Sequence, residues 1–184
     1  MIPIKIVNVR DLVRAKVGAA EMVLAYYWGQ LNEDGLIDSL FYDAKIRAFK
    51  DFRDFCLDRN KHFFVVFIND EVLPIGHFHL TNFAGLTAYV HFSILRRGHG
   101  HVSSVEIAKA TLVEFFKMRR YNSPLPLAQT LIGVTPTRNK LACRFIKQVG
   151  FKPVTTIPGA CYMHDLDEYT PGLVTVLTAD ELAS

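Results

Sequence analysis

The chain has 184 residues, half of them apolar and 12% aromatic, which supplies one domain with a sizeable core and excludes a disordered polymer. A net charge of +3 without a run of Lys or Arg argues against nucleic acid as a partner. Three scattered cysteines (Cys56, Cys143 and Cys161) lack C-x-x-C spacing, so they read as reduced thiols inside a cell, packed as small apolar side chains rather than a disulfide framework.

The first sixteen residues, MIPIKIVNVRDLVRAK, spread their charges and hold no apolar stretch ending in a small-residue cleavage site, so no signal peptide is expected. The apolar segment Val17–Trp28 contains Glu21 and is too short to span a bilayer. A cytoplasmic protein with no membrane partner is the expectation.

Alternation predicts a first strand over Ile4–Val9, and Asp11 then resembles the N-cap of a helix reaching about Trp28. Gly29 to Gly35 is polar and turn-rich. A second helix is expected over Ile37–Leu57, because Leu40, Phe41, Ala44, Ala48, Phe52 and Phe55 share one face. His62–Ile68 is a continuous apolar run and reads as a buried strand. Asn69-Asp70-Glu71 is expected to turn the chain into a strand over Val72–Phe83, and Ala84-Gly85 into a third over Leu86–Leu95. Three strands on short turns make an antiparallel meander.

The meander leads to RRGHGHVSS and then to a helix marked by Val105, Ala108, Leu112 and Phe115. A glycine-containing turn that ends at a helix N-terminus offers amide donors and the positive end of the helix dipole to an anion, and a pyrophosphate suits it. The same sequence also serves as a plain strand-to-helix connection. Leu127–Val134 is an apolar strand, expected to run parallel to Leu86–Leu95 because a helix intervenes. Thr135-Pro136 is expected to open a helix carrying Leu141, Ala142, Phe145, Ile146 and Val149 inward, with Gly150 stopping it. Phe151–Ile157 and Ala160–Asp165 read as a closing hairpin through Pro158-Gly159, which makes residues 1–166 the domain and 167–184 a C-terminal tail.

Seven histidines include H-x-H at His77/His79 and His99/His101. Strand spacing puts His77 and His79 on one face, but two ligands do not close a metal site and no Cys or carboxylate pattern joins them, so no metal is expected.

Two stretches carry a resemblance. Arg97-Gly98-His99-Gly100-His101-Val102 resembles the acyl-coenzyme-A loop, [Q/R]-x-x-G-x-[G/A], of the GNAT superfamily of N-acetyltransferases. Asn139-Lys140-Leu141-Ala142, continuing to Val149-Gly150-Phe151, is similar to the "N-x-x-A … x-G-F" helix and strand of that family. With the element order, the resemblance spans about Ile4 to Asp165. It implies an α/β (α+β) three-layer fold, a mixed central sheet with an antiparallel meander and helices on both faces. It also implies transfer of an acetyl or similar acyl group from acetyl-CoA to a primary amine.

On that resemblance the pyrophosphate would sit on the amides of Gly98, His99, Gly100, His101 and Val102 beside Arg97. Phe92, Ser93 and Ile94 would pair with the pantetheine arm and hold the thioester carbonyl, and Asn139 would contact the cofactor or fix the loop. Four positions depart from the family. Val102 replaces the small residue that ends the loop, and Ile146 stands where relatives often carry a Tyr acid. Leu86 and Ala88 stand where relatives carry a base. His91 and Tyr89, on one face of the strand, are the candidate catalytic residues if a bulge shifts the register, with His79 as another; a hydrogen-bonded core histidine is the plainer account of His91. A thiol of pKa about 8.5 leaves tolerably without an acid. The acceptor would be a small-molecule or protein amine bordered by the first two helices and the Gly29–Ile37 connection. Tyr26, Tyr27, Trp28, Phe41 and Tyr42 there suit an apolar or flat acceptor or simply pack the core, and a homodimer is an expected assembly. A catalytically degenerate GNAT-fold binding or assembly protein is the alternative that these departures favour.

Overall fold

The computed structural model describes residues 3–43, 45–68, 73–100 and 103–183. In chain order the elements are β1 (Ile4–Asn8), α1 (Val9–Ala15), α2 (Val17–Glu33), α3 (Ile37–Leu40), α4 (Phe49–Leu57), β2 (His62–Ile68), β3 (Gly76–Ala84) and β4 (Thr87–Ile94). A 3₁₀ turn over Arg96–Gly100 follows, then α5 (Ser104–Phe116), β5 (Thr130–Pro136), α6 (Lys140–Val149), β6 (Lys152–Met163), β7 (Glu168–Thr178) and α7 (Ala179–Ala183).

The strands form one seven-stranded sheet in the order β1-β2-β3-β4-β5-β7-β6. β2 to β4 are the expected antiparallel meander, β1 pairs antiparallel along the edge of β2, and β4 and β5 are parallel. Each face of the sheet carries its own core. On one face Phe64, Phe78, Leu80, Val90 and Leu131 pack with Ile107, Leu112 and Phe115 of α5. On the other, Phe63, Val65 and Leu95 pack with Leu24, Tyr27 and Leu31 of α2 and Phe52 of α4. This is the three-layer arrangement that the family resemblance implies.

Several element boundaries differ from the sequence reading, each for a local reason. The helix expected from Asp11 to Trp28 is two helices, separated where Lys16 is extended (φ −166°, ψ 113°). Asn8 rather than Asp11 caps the first of them, accepting the Arg10 N–H at 3.0 Å. The helix expected over Ile37–Leu57 is also two, α3 and α4, with a loop between. Phe41 of the expected stripe is buried in that loop, so its apolar character mimics a helical face without one. Ala44 and the expected turn at Asn69-Asp70-Glu71 lie outside the described residues.

Pro136 ends β5 instead of opening a helix; α6 begins later, where the Asn139 side chain accepts the Ala142 N–H at 3.0 Å. Gly150 does stop α6, at φ +119°, a left-handed conformation that glycine adopts without a Cβ penalty. Pro158-Gly159 is not a hairpin turn. It lies within β6 at an irregularity between Ile157 and Cys161, and β6 turns into β7 through residues 164–167. The segment taken for a tail is therefore a strand in the sheet, between β5 and β6. Among the described residues no helix is long and apolar enough to cross a membrane.

Candidate functional site

The sheet splits between β4 and β5. Their parallel pairing covers only Thr87↔Thr130, Ala88↔Leu131 and Tyr89↔Ile132, whereas β5 pairs with β7 from Thr130 to Pro136. Beyond Tyr89, β4 follows β3 and β5 follows β7, and a cavity of about 470 Å³ opens in the fork. Val90, Phe92 and Ile94 of β4 wall one side, Gly133–Pro136 of β5 and Phe145 and Ile146 of α6 the other, and Ser104 of α5 also lines it. Its size and mainly apolar lining with a few polar groups suit a small-molecule site.

Phe92, Ser93, Ile94 and Asn139, four of the residues named from sequence, all line this cavity. The Asn139 side chain caps α6, so the N-x-x-A pattern records a helix N-cap reaching the third residue on. Ile146, at the position of the missing Tyr, lines the cavity as well. The arginine–glycine turn is engaged with the protein. Arg97 Nη1 donates to the Tyr26 hydroxyl at 2.6 Å, and the Gly98 N–H donates to the Leu95 carbonyl at 2.9 Å. A Cβ on Gly98 would stand 2.9 Å from Ile94 Cγ2, so packing of the turn onto the end of β4 by itself calls for glycine here. The backbone of His99 and Gly100 continues the 3₁₀ turn, while His101 and Val102 lie outside the described residues. Ser103 caps α5, its Oγ accepting the Val105 N–H.

A second cavity, of about 830 Å³, lies on the α4 side of the sheet. The two share Leu40, Tyr42 and His91 as lining residues, so His91 stands where they meet. Tyr89, on the same face of β4, is 37% exposed and lines neither.

His91 ends a column of imidazoles. The β3–β4 register sets His79 opposite His91 and His77 opposite Ser93. The His79 and His91 rings stack at 4.8 Å and 9°, those of His77 and His79 at 5.5 Å and 8°, and Phe63 stacks on His77 at 4.7 Å. His77 Nδ1 hydrogen-bonds the Tyr27 hydroxyl at 2.9 Å, and Ser93 hydrogen-bonds the same phenol, whose pKa burial pushes far up. Burial drives His77 down to about 3 and His79 well below the ordinary imidazole value, with the neighbouring histidines adding to both shifts. His91 is also lowered by burial, against an opposing pull from the Asp43 carboxylate. The column is therefore neutral near pH 7. Among the described residues no group of three or more His, Cys, Asp or Glu could hold a metal ion.

Leu40 and Tyr42, from the segment that the sequence sets at the border of the acceptor pocket, line both cavities. Sequence reasoning missed Asp51, Asp54 and Asp58, although their spacing with Phe55 along one helical face was legible.

No protein-family model matches the sequence, and no curated protein does. Solved structures match over essentially the whole chain. A spermidine N-acetyltransferase from Vibrio cholerae, solved with CoA and spermine, superposes with TM-score 0.65 at 13% identity, covering 100% of this chain and 98% of that one. A ribosomal-protein-S5-alanine acetyltransferase from Vibrio fischeri gives 0.64 at 13%, covering 97% and 93%. A GNAT-family acetyltransferase from Bacillus anthracis gives 0.61 at 15%, covering 83% and 87%. At such identities the likeness is one of fold: this chain folds as GNAT acetyltransferases do.

Proposed function

From that shared fold, with its forked sheet and two cavities meeting at one imidazole, we propose that the protein is an N-acetyltransferase that moves an acetyl group from acetyl-CoA to a primary amine. The observation that carries this reading is the fork itself. Past Tyr89, β4 parts from β5, and Phe92, Ser93 and Ile94 line the gap, as the pantetheine arm of CoA requires. The Vibrio cholerae structure holds CoA, and the cavity's size and apolar walls suit the same co-substrate here. Ser104 at the start of α5 and Asn139 at α6 are among the polar groups of this chain that would meet it, and the amides around His101 and Val102 remain the expected diphosphate contacts.

Acetyl-CoA supplies a thioester whose carbonyl carbon accepts the amine nitrogen as the C–S bond breaks. An amine arrives as its ammonium at pH 7 and must lose a proton to become a nucleophile. His91, neutral and open to both cavities, takes that proton on an imidazole nitrogen, and the Asp43 carboxylate steadies the resulting cation. The proton then passes to solvent through the second cavity. Ile146 gives none to the leaving thiolate, which departs as the anion its pKa of about 8.5 allows. The attacking nitrogen sheds its second proton as the C–S bond breaks, and solvent returns that proton to the thiolate, so the net products are an N-acetyl amine, CoA as its thiol and one proton.

Isothermal titration with acetyl-CoA, followed by thiol release across a panel of amines, tests the assignment. Saturable binding with amine-dependent thiol release is expected. Absence of binding at millimolar ligand overturns it, and binding without release would instead make the chain a CoA-responsive module.

A further inference from the structure

The cavity in the fork is deeper than an acetyl group needs. β4 and β5 run parallel and end at Ile94 and Pro136, and α5 and α6 start beside those ends and fold back over the same face of the sheet. At the rise of a helix, the lining from Ser104 to Leu112 on α5 spans about 12 Å, and that from Asn139 to Val149 on α6 about 15 Å. The two ends differ in chemistry. Ser104, Thr135 and Asn139 line the mouth. Val90, Ala108, Leu112, Val149 and Phe151 line the floor, with no polar side chain among them, and all five are buried in the core of that face.

β4 sets where the reacting carbon falls along this axis. With pantetheine paired along Phe92–Ile94, the thioester comes level with His91, and Val90 is the next residue on the fork side. Whatever the carbonyl carbon carries then points past Val90 into the floor. The amine arrives from the opposite side, where His91 opens to the second cavity, so acyl chain and acceptor do not compete for space. Ile146 extends the apolar path. A Cβ on Gly133 would stand 3.2 Å from Ile146 Cδ1, so the isoleucine reaches β5 just past the point where the fork opens. It lays an alkyl surface where a phenol would present a hydroxyl. Water confined among such groups finds few partners, and a hydrocarbon chain that replaces it gains the burial of each methylene.

We propose that the floor of the fork is an acyl pocket and that the donor it favours is a CoA thioester with a straight saturated chain longer than acetyl, in the butanoyl to hexanoyl range. The assignment rests on the transferase reading above and extends the group transferred. The same C–S bond breaks, and the carbonyl carbon of the longer chain bonds to the amine nitrogen. An acetyl donor would offer the floor a single methyl and leave most of it unfilled.

Calorimetric titration of the full chain with acetyl-, butanoyl-, hexanoyl- and decanoyl-CoA, without amine, reads the pocket directly. The dissociation constant is expected to fall about threefold to fourfold per added methylene as far as hexanoyl and to level off beyond it. Ala108→Leu, which fills the floor from α5, should cut the hexanoyl-to-acetyl affinity ratio about tenfold or more. Val149→Phe fills it from α6 and serves where circular dichroism shows the first variant unfolded. Equal affinity across the series, tightest binding for acetyl-CoA, or a ratio that a folded variant leaves unchanged overturns the acyl pocket. Amine-dependent thiol release from acetyl-CoA would in each of those cases still support the transferase. Chain-length-dependent binding without transfer to any amine keeps the pocket and removes the enzyme, and binding of no thioester at all removes both.

Discussion

His91 is where the two halves of the proposed chemistry meet, and one substitution interrogates it. His91→Ala should lower kcat by about a hundredfold, the lower end of what a positioned base contributes, with the KM for acetyl-CoA little changed. Because burial lowers the His91 pKa, the acid limb of the wild-type rate profile attributable to it should lie below pH 6.5 and vanish in the variant. Steady-state kinetics from pH 5 to 9 measures both. His77 behaves differently, since it is buried against Tyr27 and lines neither of the two cavities. Its folded-state pKa of about 3 lies below the unfolded value of 6.5, so the unfolded chain binds the extra proton and stability falls with pH below 6.5. For His77 alone the loss is about 2 kcal/mol by pH 5. Urea titrations at pH 7.5 and pH 5 should reveal it, and His77→Phe should make the dependence shallower. Alternation along β3 and β4 showed that these histidines share faces. That they stack into one column depends on cross-strand register, which one strand's sequence does not state.

At the scale of elements, the turn after β4 is the most constrained joint near the site. Gly98→Ala would force a methyl to within 2.9 Å of Ile94, a cavity-lining residue, and also against Ile75. The expected cost is about 1–3 kcal/mol with weaker acetyl-CoA binding, read from thermal unfolding and titration calorimetry. The glycine was visible in the sequence as part of a ligand-binding pattern, and its packing role was not. Elsewhere, errors of boundary share a cause. Burial of Phe41 in a loop imitated helix periodicity, and Pro158-Gly159 inside β6 imitated a turn that strand irregularity absorbs. Asn139, by contrast, was legible because capping depends on residues three apart in the chain, and so was Gly150 with its positive φ.

For the molecule as a whole, ligand binding and stability should be coupled, since the cavity lies in the fork of a single sheet and is walled by α5 and α6 from one core. Acetyl-CoA at a hundred times its dissociation constant adds about 2.7 kcal/mol to the folded state. For a chain of this size that corresponds to a rise of roughly 5–10 °C in Tm. Differential scanning fluorimetry against CoA concentration checks this, and a flat response would argue that the fork holds no nucleotide.

The placement of β7 bears on how the protein is made. Residues 168–178 are translated after β5 and β6, yet they lie between them and hydrogen-bond to both. Until that segment leaves the ribosome, β6 has no neighbour to pair with and the outer edge of β5 stays bare, a sticky surface that a chaperone would recognise. The sheet should therefore stay half-built until residues 168–178 are free to pair, and released chains truncated before Glu168 should be readily cut by protease across residues 130–163.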